Sequence, residues 1–369
     1  MLNLINCSID DFKCKIADKK LFVFGCGRAL QIRFDLVCGE KKIEGIIDNN
    51  EKLHNTMFCF NGQNINIMNI DDFIHYITKN GKEDIVLWIS PTSLGYIILK
   101  QLDEISELDG IDCFLTYLLL KYPTQKEKIL FSQGDSCIPK KIHYCWVGGS
   151  KLPSHLQEYV DSWHRLCPDY EIICWDENNY DFSKNEYMKE AYDNKAWGFV
   201  PDYARLDIIY QHGGIYLDTD VELTQRPDVL LKDRAFFGYT YSGIAIGAGF
   251  GAEKNNPFIK QLRDAYDGLH FMNKDGSLNK YPCIYYQHPV FKQVGFEIKN
   301  KYQKKDGIVL YPEGVIVDLG LFGNKSKLVD NYTIMLHHSQ ASWQTEEIVE
   351  AAKQLEKNLA KRLDSKNDL

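Results

Sequence analysis

No two of the eleven cysteines form a C-x-x-C pair; they are scattered singly from Cys7 to Cys283. An odd number without paired spacing argues against a disulfide framework and against a structural zinc site, so the thiols are expected to be reduced and largely buried. Long apolar runs are missing too: nowhere do eighteen apolar residues follow one another, as a membrane-spanning helix would require. The opening "MLNLINCSIDDFKCK" has neither the basic flank nor the long apolar stretch of a secretory signal. A cytoplasmic protein is the expectation, with peripheral association at the inner face of the cell membrane open to it through a substrate. Positive charge is in deficit, the formal net charge being −8, which speaks against a broad surface for a nucleic-acid backbone. Internal repeats and low-complexity tracts are absent.

What is present suffices for two cores: 369 residues, 44% of them hydrophobic. Aromatics make up 13%, flat surfaces that sugar- and base-binding clefts use, as do ordinary cores. Residues 20 to 120 alternate strand-like and helix-like pieces, "LFVFG", "RALQIRFDLV", "IEGIID", "DDFIHYIT", "IVLWIS", "LGYIILKQL" and "DCFLTYLLL". That rhythm predicts a small Rossmann-like parallel α/β domain over 1–135. Its first turn, "GCGRAL", offers Gly25 and Gly27 to a pyrophosphate and Asp48 to a ribose, but Leu30 stands where a third glycine belongs, so the dinucleotide fingerprint is incomplete. Around 121–138 periodicity is lost and charge, Pro and Gly accumulate, which reads as a linker with a boundary near 136. The tail, 346–369, spaces Ile348, Ala352, Leu355, Leu359 and Leu363 along one stripe, an amphipathic helix expected to pack on the second domain.

That second domain, 136–345, opens with the strand "KKIHYCWVGG", the helix "LPSHLQEYVDSWHRL" and the strand "YEIICWDE". In "FVPDYARLDIIYQHGGIYLDTDVE" Pro201 suits a first helical turn and Gly213-Gly214 supply a stop. Asp202 and Arg205, three residues apart, share a helix face near its start. Taken alone they would be a commonplace surface ion pair. The strand then delivers Asp218 and Asp220, one residue apart, which in an extended chain project to the same side. Two such carboxylates can grip a magnesium or manganese ion and leave positions open for phosphate oxygens. A lone D-x-D is weak; preceded by an apolar strand, a double glycine and a D-x-x-R helix it is much stronger. Haloacid-dehalogenase-like phosphatases also carry D-x-D, but they continue with Thr or Val where this chain has Glu222, and they open an α/β unit with it.

The segments "IPKKIHYCWVGG", "SWHRLCPDYEIICWDENN", "FVPDYARLDIIYQHGGIYLDTDVE", "GFGAEKNNPFIKQ" and "MLHHSQASW" together resemble the D-x-D sugar-transferase family that includes bacterial capsule enzymes and yeast initiating mannosyltransferases. The likeness spans roughly 138–345 and extends more distantly to the glucosyltransferase domains of large clostridial toxins. It implies a GT-A fold, a nucleotide-sugar donor, a divalent ion (Mn2+ or Mg2+) and retention of anomeric configuration. It also implies roles: Trp146 stacks on the donor base, Asp202 and Arg205 hold ribose or sugar hydroxyls with Tyr216 beside them, and Asp218 and Asp220 bind metal and ribose. In "HHSQASW" a histidine completes the metal shell, His338 being preferred to His337, while Ser342 and Trp343 close over the diphosphate. The catalytic set is then Asp202, Arg205, Asp218 and Asp220. A UDP-hexose donor and a saccharide or lipid-linked oligosaccharide acceptor, in surface or capsular polysaccharide synthesis, are the expectation. "YPCIYYQHPVF" and "EGVIVDLGLFG" depart from the family pattern and are assigned to the acceptor side. A non-catalytic sugar-nucleotide sensor or scaffold is the alternative from another class, and an NAD-linked enzyme centred on the first domain a third; no activity is assigned to residues 1–135.

Overall fold

The computed structural model describes residues 1–60, 62–92, 94–121, 129–240, 243–244, 246–319, 330–339, 354, 357–359 and 361–363. The chain forms two compact units, Met1–Gln125 with Glu346–Leu369, and Lys126–Thr345. Among the described residues, no helix is long and apolar enough to cross a membrane.

The first unit is built on a sheet with strand order Asn3–Leu4, Asp112–Leu115, Ile85–Ile89, Lys20–Phe24, Ile43–Ile47, Gln63–Met68, Met57–Phe60. All neighbours are parallel except the last pair. Leu21 to Phe24 and Ile85 to Ile89 are buried throughout, as strands covered on both faces must be. The helix Ile70–Asn80 starts where Asn69 accepts the Asp72 N–H and stops at Gly81, at φ 78°. The hairpin Met57–Phe60 with Gln63–Met68 interrupts the βαβ rhythm unannounced; its Phe60 ring meets Phe34 of the helix Arg28–Val37 at 5.4 Å. At the "GCGRAL" turn, the Asp48 carboxylate that a ribose would need accepts from the Cys26 N–H at 3.0 Å and from its thiol at 3.2 Å.

Two expected boundaries move. The second unit begins about ten residues before 136, because Ile129 and Phe131 pack on its core, Phe131 against Tyr311 at 5.6 Å. The tail goes to the first unit instead of the second: Arg362 pairs with Asp103 and donates to the Leu2 carbonyl. An apolar stripe specifies that a helix packs but not on what, and here an ion pair settles the partner. Ile348, Ala352 and Leu355 lie outside the described residues.

The second unit has a mixed sheet ordered Gln303–Lys305, Ile308–Tyr311, Ala235–Thr240, Phe250–Ala252, Gly214–Tyr216, Lys141–Cys145, Glu171–Trp175. Lys141–Cys145 pairs in parallel with both Gly214–Tyr216 and Glu171–Trp175. Its core gathers Ile142, Trp163, Ile215, Leu217, Phe236 and Val309. Beyond the strand Gly214–Tyr216 the chain enters a small second sheet, where Val221–Leu223 runs antiparallel to Met335–His337, itself parallel to Ile316–Asp318. The junction of the two sheets holds the acidic residues.

Candidate active site

The helix Pro201–His212 is nearly enclosed, and its burial includes Asp202, Arg205 and Asp207. Pro201 supplies the preset φ of a first turn and Gly213, at φ 65°, ends it with its N–H on the Ile209 carbonyl. Arg205 is held from three sides: its Nε donates to the Pro201 carbonyl at 2.9 Å, Nη2 stands 3.2 Å from Asp202, and Nη1 3.5 Å from Asp218. The guanidinium also lies over the Tyr216 ring, 5.2 Å from its centroid. With side chains only 4% and 7% exposed, Arg205 and Asp202 are no surface pair. Desolvation pushes the Asp202 carboxyl up to about 7; Arg205 opposes that shift and Asp218 adds to it.

Asp218 and Asp220 do not share one side of an extended strand, as their spacing predicts. The strand ends at Tyr216, and the chain turns so that the Val221 N–H bonds back to the Asp218 carbonyl at 3.0 Å. The turn, not the strand pleat, brings the two carboxylates together. One oxygen of each, with one ring nitrogen of His337, lie within 4.8 Å of one another. His337 Nε2 stands 3.2 Å from Asp220 Oδ1. Asp218, at 28% side-chain exposure, is open to solvent where Arg205 and Asp202 are closed off. Burial raises the Asp218 carboxyl, Arg205 draws it back, and Asp220 raises it further. For His337 burial favours the neutral ring, yet Asp220 and Asp318 outweigh it and carry the ring well above its ordinary value.

The preference for His338 is corrected here. In the register Val221↔His337, it is His337 that reaches the aspartates. His338 points elsewhere: it stacks on Tyr159 at 4.2 Å, its Nε2 bonds Glu222 at 3.0 Å, and only its backbone N–H meets the Asp220 carbonyl. Consecutive residues of a strand face opposite ways, so one step in register exchanges the two histidines.

Trp146 follows the strand Lys141–Cys145 at the same C-terminal sheet edge from which Asp218 emerges, with its indole N–H on the Ser150 carbonyl at 2.7 Å. The space left by Gly148 is filled by Trp197, whose indole would be 2.9 Å from an added Cβ, whereas Gly149 has nothing within 4 Å. Tyr216 is buried beneath Arg205 as a wall of the site. Ser342 and Trp343 lie outside the described residues. Two positions had escaped the sequence. A Cβ on Gly247 would stand 3.0 Å from both Arg205 Nη1 and Asp218 Oδ2, so only glycine leaves that gap open. Asp318, assigned to an acceptor side, lies 3.4 Å from His337 Nδ1; "VIVD" carried the same signal as "IYLD", an apolar strand tipped by an aspartate.

Residues 153–237 match the family described as a glycosyltransferase sugar-binding region containing the DXD motif. Inositol phosphoceramide mannosyltransferase 3 of Schizosaccharomyces pombe is 33% identical over 149 residues, covering 39% of this chain and 41% of that protein. Mannosyl phosphorylinositol ceramide synthase SUR1 of Saccharomyces cerevisiae is 31% identical over 150 residues, 38% of this chain and 39% of its own. The chain thus spans about two fifths of the length of these curated relatives. A solved structure, PaToxG glycosyltransferase, aligns at 16% identity and a TM-score of 0.36, covering 42% of this chain and 69% of that one. The acidic turn and the buried D-x-x-R helix both lie inside the segment, residues 153–237, that matches the glycosyltransferase sugar-binding region containing the DXD motif.

Proposed function

We propose that the second unit is a metal-dependent, retaining hexosyltransferase of the GT-A type, which moves a sugar from a nucleoside diphosphate to a saccharide or lipid-linked acceptor. The convergence of Asp218, Asp220 and His337 beside the Arg205–Asp202 pair carries this reading. Two carboxylate oxygens and an imidazole nitrogen suit manganese or magnesium and leave coordination positions for a diphosphate. A divalent ion seated there supplies the positive charge that a departing nucleoside diphosphate needs.

The chain's own residues do the remainder. Arg205, already held by the Pro201 carbonyl and Asp202, offers a preorganised cation beside that spot. To Asp202, beside it, we assign the hydrogen bond from a ribose or sugar hydroxyl, which requires the donor to open its closed surroundings. The hydroxyls of Tyr187 and Tyr266 and both polar atoms of the Gln287 amide are buried without partners, and Asp202 adds to the burial that raises both tyrosines. Unpaired buried polar groups are uncommon, and they favour a hydroxyl-rich ligand on that side. Retention follows if the acceptor hydroxyl attacks the anomeric carbon from the face the diphosphate leaves.

One yeast relative is named an inositol phosphoceramide mannosyltransferase and the other a mannosyl phosphorylinositol ceramide synthase, which supports a lipid-linked acceptor. Surface or capsular polysaccharide assembly at the inner face of the membrane is the proposed setting. A UDP-hexose is the first donor to try, with GDP-mannose beside it because the Schizosaccharomyces pombe relative is named a mannosyltransferase. The test is a donor panel with manganese, scored by nucleotide released. One donor should be hydrolysed, chelator should stop the release, and Asp220→Ala should lower it on the order of 100-fold or more with melting unchanged. Full activity of that variant in chelator overturns the reading. Calorimetric donor binding without release would favour a sensor.

A further inference from the structure

We infer that Asp318 is the positioning residue for His337: it holds the ring by Nδ1, so that Nε2 faces Asp220 and is presented to a divalent cation. The inference rests on the metal-dependent reading above and names the device that orients one ligand of that site.

The geometry runs through the small sheet. Ile316–Asp318 and Met335–His337 are parallel neighbours in the register Asp318↔His337, so the two side chains leave adjacent strands at the same level. Asp318 Oδ1 lies 3.4 Å from His337 Nδ1, and Asp220 Oδ1 lies 3.2 Å from Nε2, on the opposite edge of the ring. The imidazole therefore stands between the two carboxylates. Asp318 is on the wrong side of it to share an ion with Asp218 and Asp220, and is absent from the group whose ligand atoms converge. Ser339 completes the arrangement: its hydroxyl donates to Asp318 Oδ1 and lies 3.2 Å from His337 Nδ1. It reaches both because the backbone takes the left-handed conformation at Ser339, φ 46°.

The chemistry explains why a buried carboxylate, 6% exposed, is kept there. The two imidazole nitrogens are coupled: a proton held on Nδ1 by a carboxylate leaves the Nε2 lone pair free, fixes the ring plane and makes Nε2 the better donor to a metal. Without that acceptor the ring is free to take the other tautomer, with Nε2 protonated and closed to a cation.

The experiment is a Mn2+ titration of the metal-free full chain, followed by electron paramagnetic resonance, with pulsed detection of a coordinated 14N nucleus. Wild type should bind Mn2+ with a 14N modulation that His337→Ala removes. Asp318→Ala should weaken Mn2+ by about 10- to 100-fold and reduce the modulation, with Asp318→Asn, which keeps a weaker acceptor, in between. If Asp318→Ala does not fold, Asp318→Asn at wild-type melting temperature decides by the same readout. Unchanged Mn2+ affinity and modulation in the folded variants overturns the inference. So does Mn2+ binding by wild type without 14N modulation, which leaves a carboxylate metal site standing. Failure of wild type to bind Mn2+ at all overturns the metal-dependent function itself.

Discussion

Asp202 illustrates how burial redefines a residue. On paper it is half of an i, i+3 ion pair; enclosed in the unit it is a carboxyl whose proton leaves only at about 7, because desolvation exceeds what Arg205 returns. The unfolded chain releases that proton near its ordinary value of 3.8. Between those two values the folded state binds more protons than the unfolded one, so this group makes stability fall as pH rises, and the penalty is complete above about 7. Asp202→Asn should therefore flatten the decline in melting temperature between about pH 4 and 7, as melts across that range will report. Parallel curves for wild type and variant would show that Asp202 carries its charge without penalty. Asp202, Arg205, Asp218 and Asp220 were all legible as residue types at meaningful spacing. Their protonation and the closed surroundings of the first two were not, because both depend on atoms brought in by distant segments.

At the scale of elements, the passage from helix Pro201–His212 to strand Gly214–Tyr216 sets where the acidic turn falls. Gly213 and Gly214 take φ of 65° and 115°, and a Cβ on Gly214 would lie 2.8 Å from the Lys141 carbonyl oxygen and 3.0 Å from His143 Nε2. His143 locks the corner: the Trp175 indole N–H donates to Nδ1 at 3.1 Å, which leaves the proton on Nε2 to donate to the Gly213 carbonyl at 2.9 Å. Burial, the main cause, depresses that ring to about 4 and keeps it neutral. Gly214→Ala should cost roughly 1–3 kcal/mol in urea unfolding, and should disturb Asp218 four residues on. An unaltered midpoint would mean that the corner relaxes without strain. The double glycine was visible in the sequence as a stop; its clamp was not, since His143 and Trp175 reach it across parallel strands.

At the scale of the molecule, the second unit carries the candidate site residues and the first is a largely parallel sheet whose "GCGRAL" turn is bridged by Asp48 through the Cys26 N–H. The tail belongs to the first unit through Arg362, which meets Asp103 while Asp103 also accepts the Leu2 N–H at 2.9 Å. Arg362→Ala should loosen the edge of that sheet, on the order of 1–3 kcal/mol, seen as faster hydrogen exchange at Asn3–Leu4 and Asp112–Leu115. Mn2+ affinity of the second unit should not change, and a parallel loss of both would show that the Arg362 variant perturbs more than the first unit.

By itself the sequence determined what is local: the βαβ rhythm, the helix bounded by Pro201 and Gly213, the D-x-x-R face, and the pair of aspartates after an apolar strand. Short-range periodicity and backbone sterics suffice for these, since each is settled within a few turns of chain. The tertiary structure decided the choice of His337 over His338, the place of Asp318 behind it, the gap at Gly247 and the partner of the tail. Each of those depends on register or packing between segments far apart in the chain. A strand's faces exchange at every residue, so pairing Val221 with His337 rather than with its neighbour is what selects the histidine that faces the aspartates.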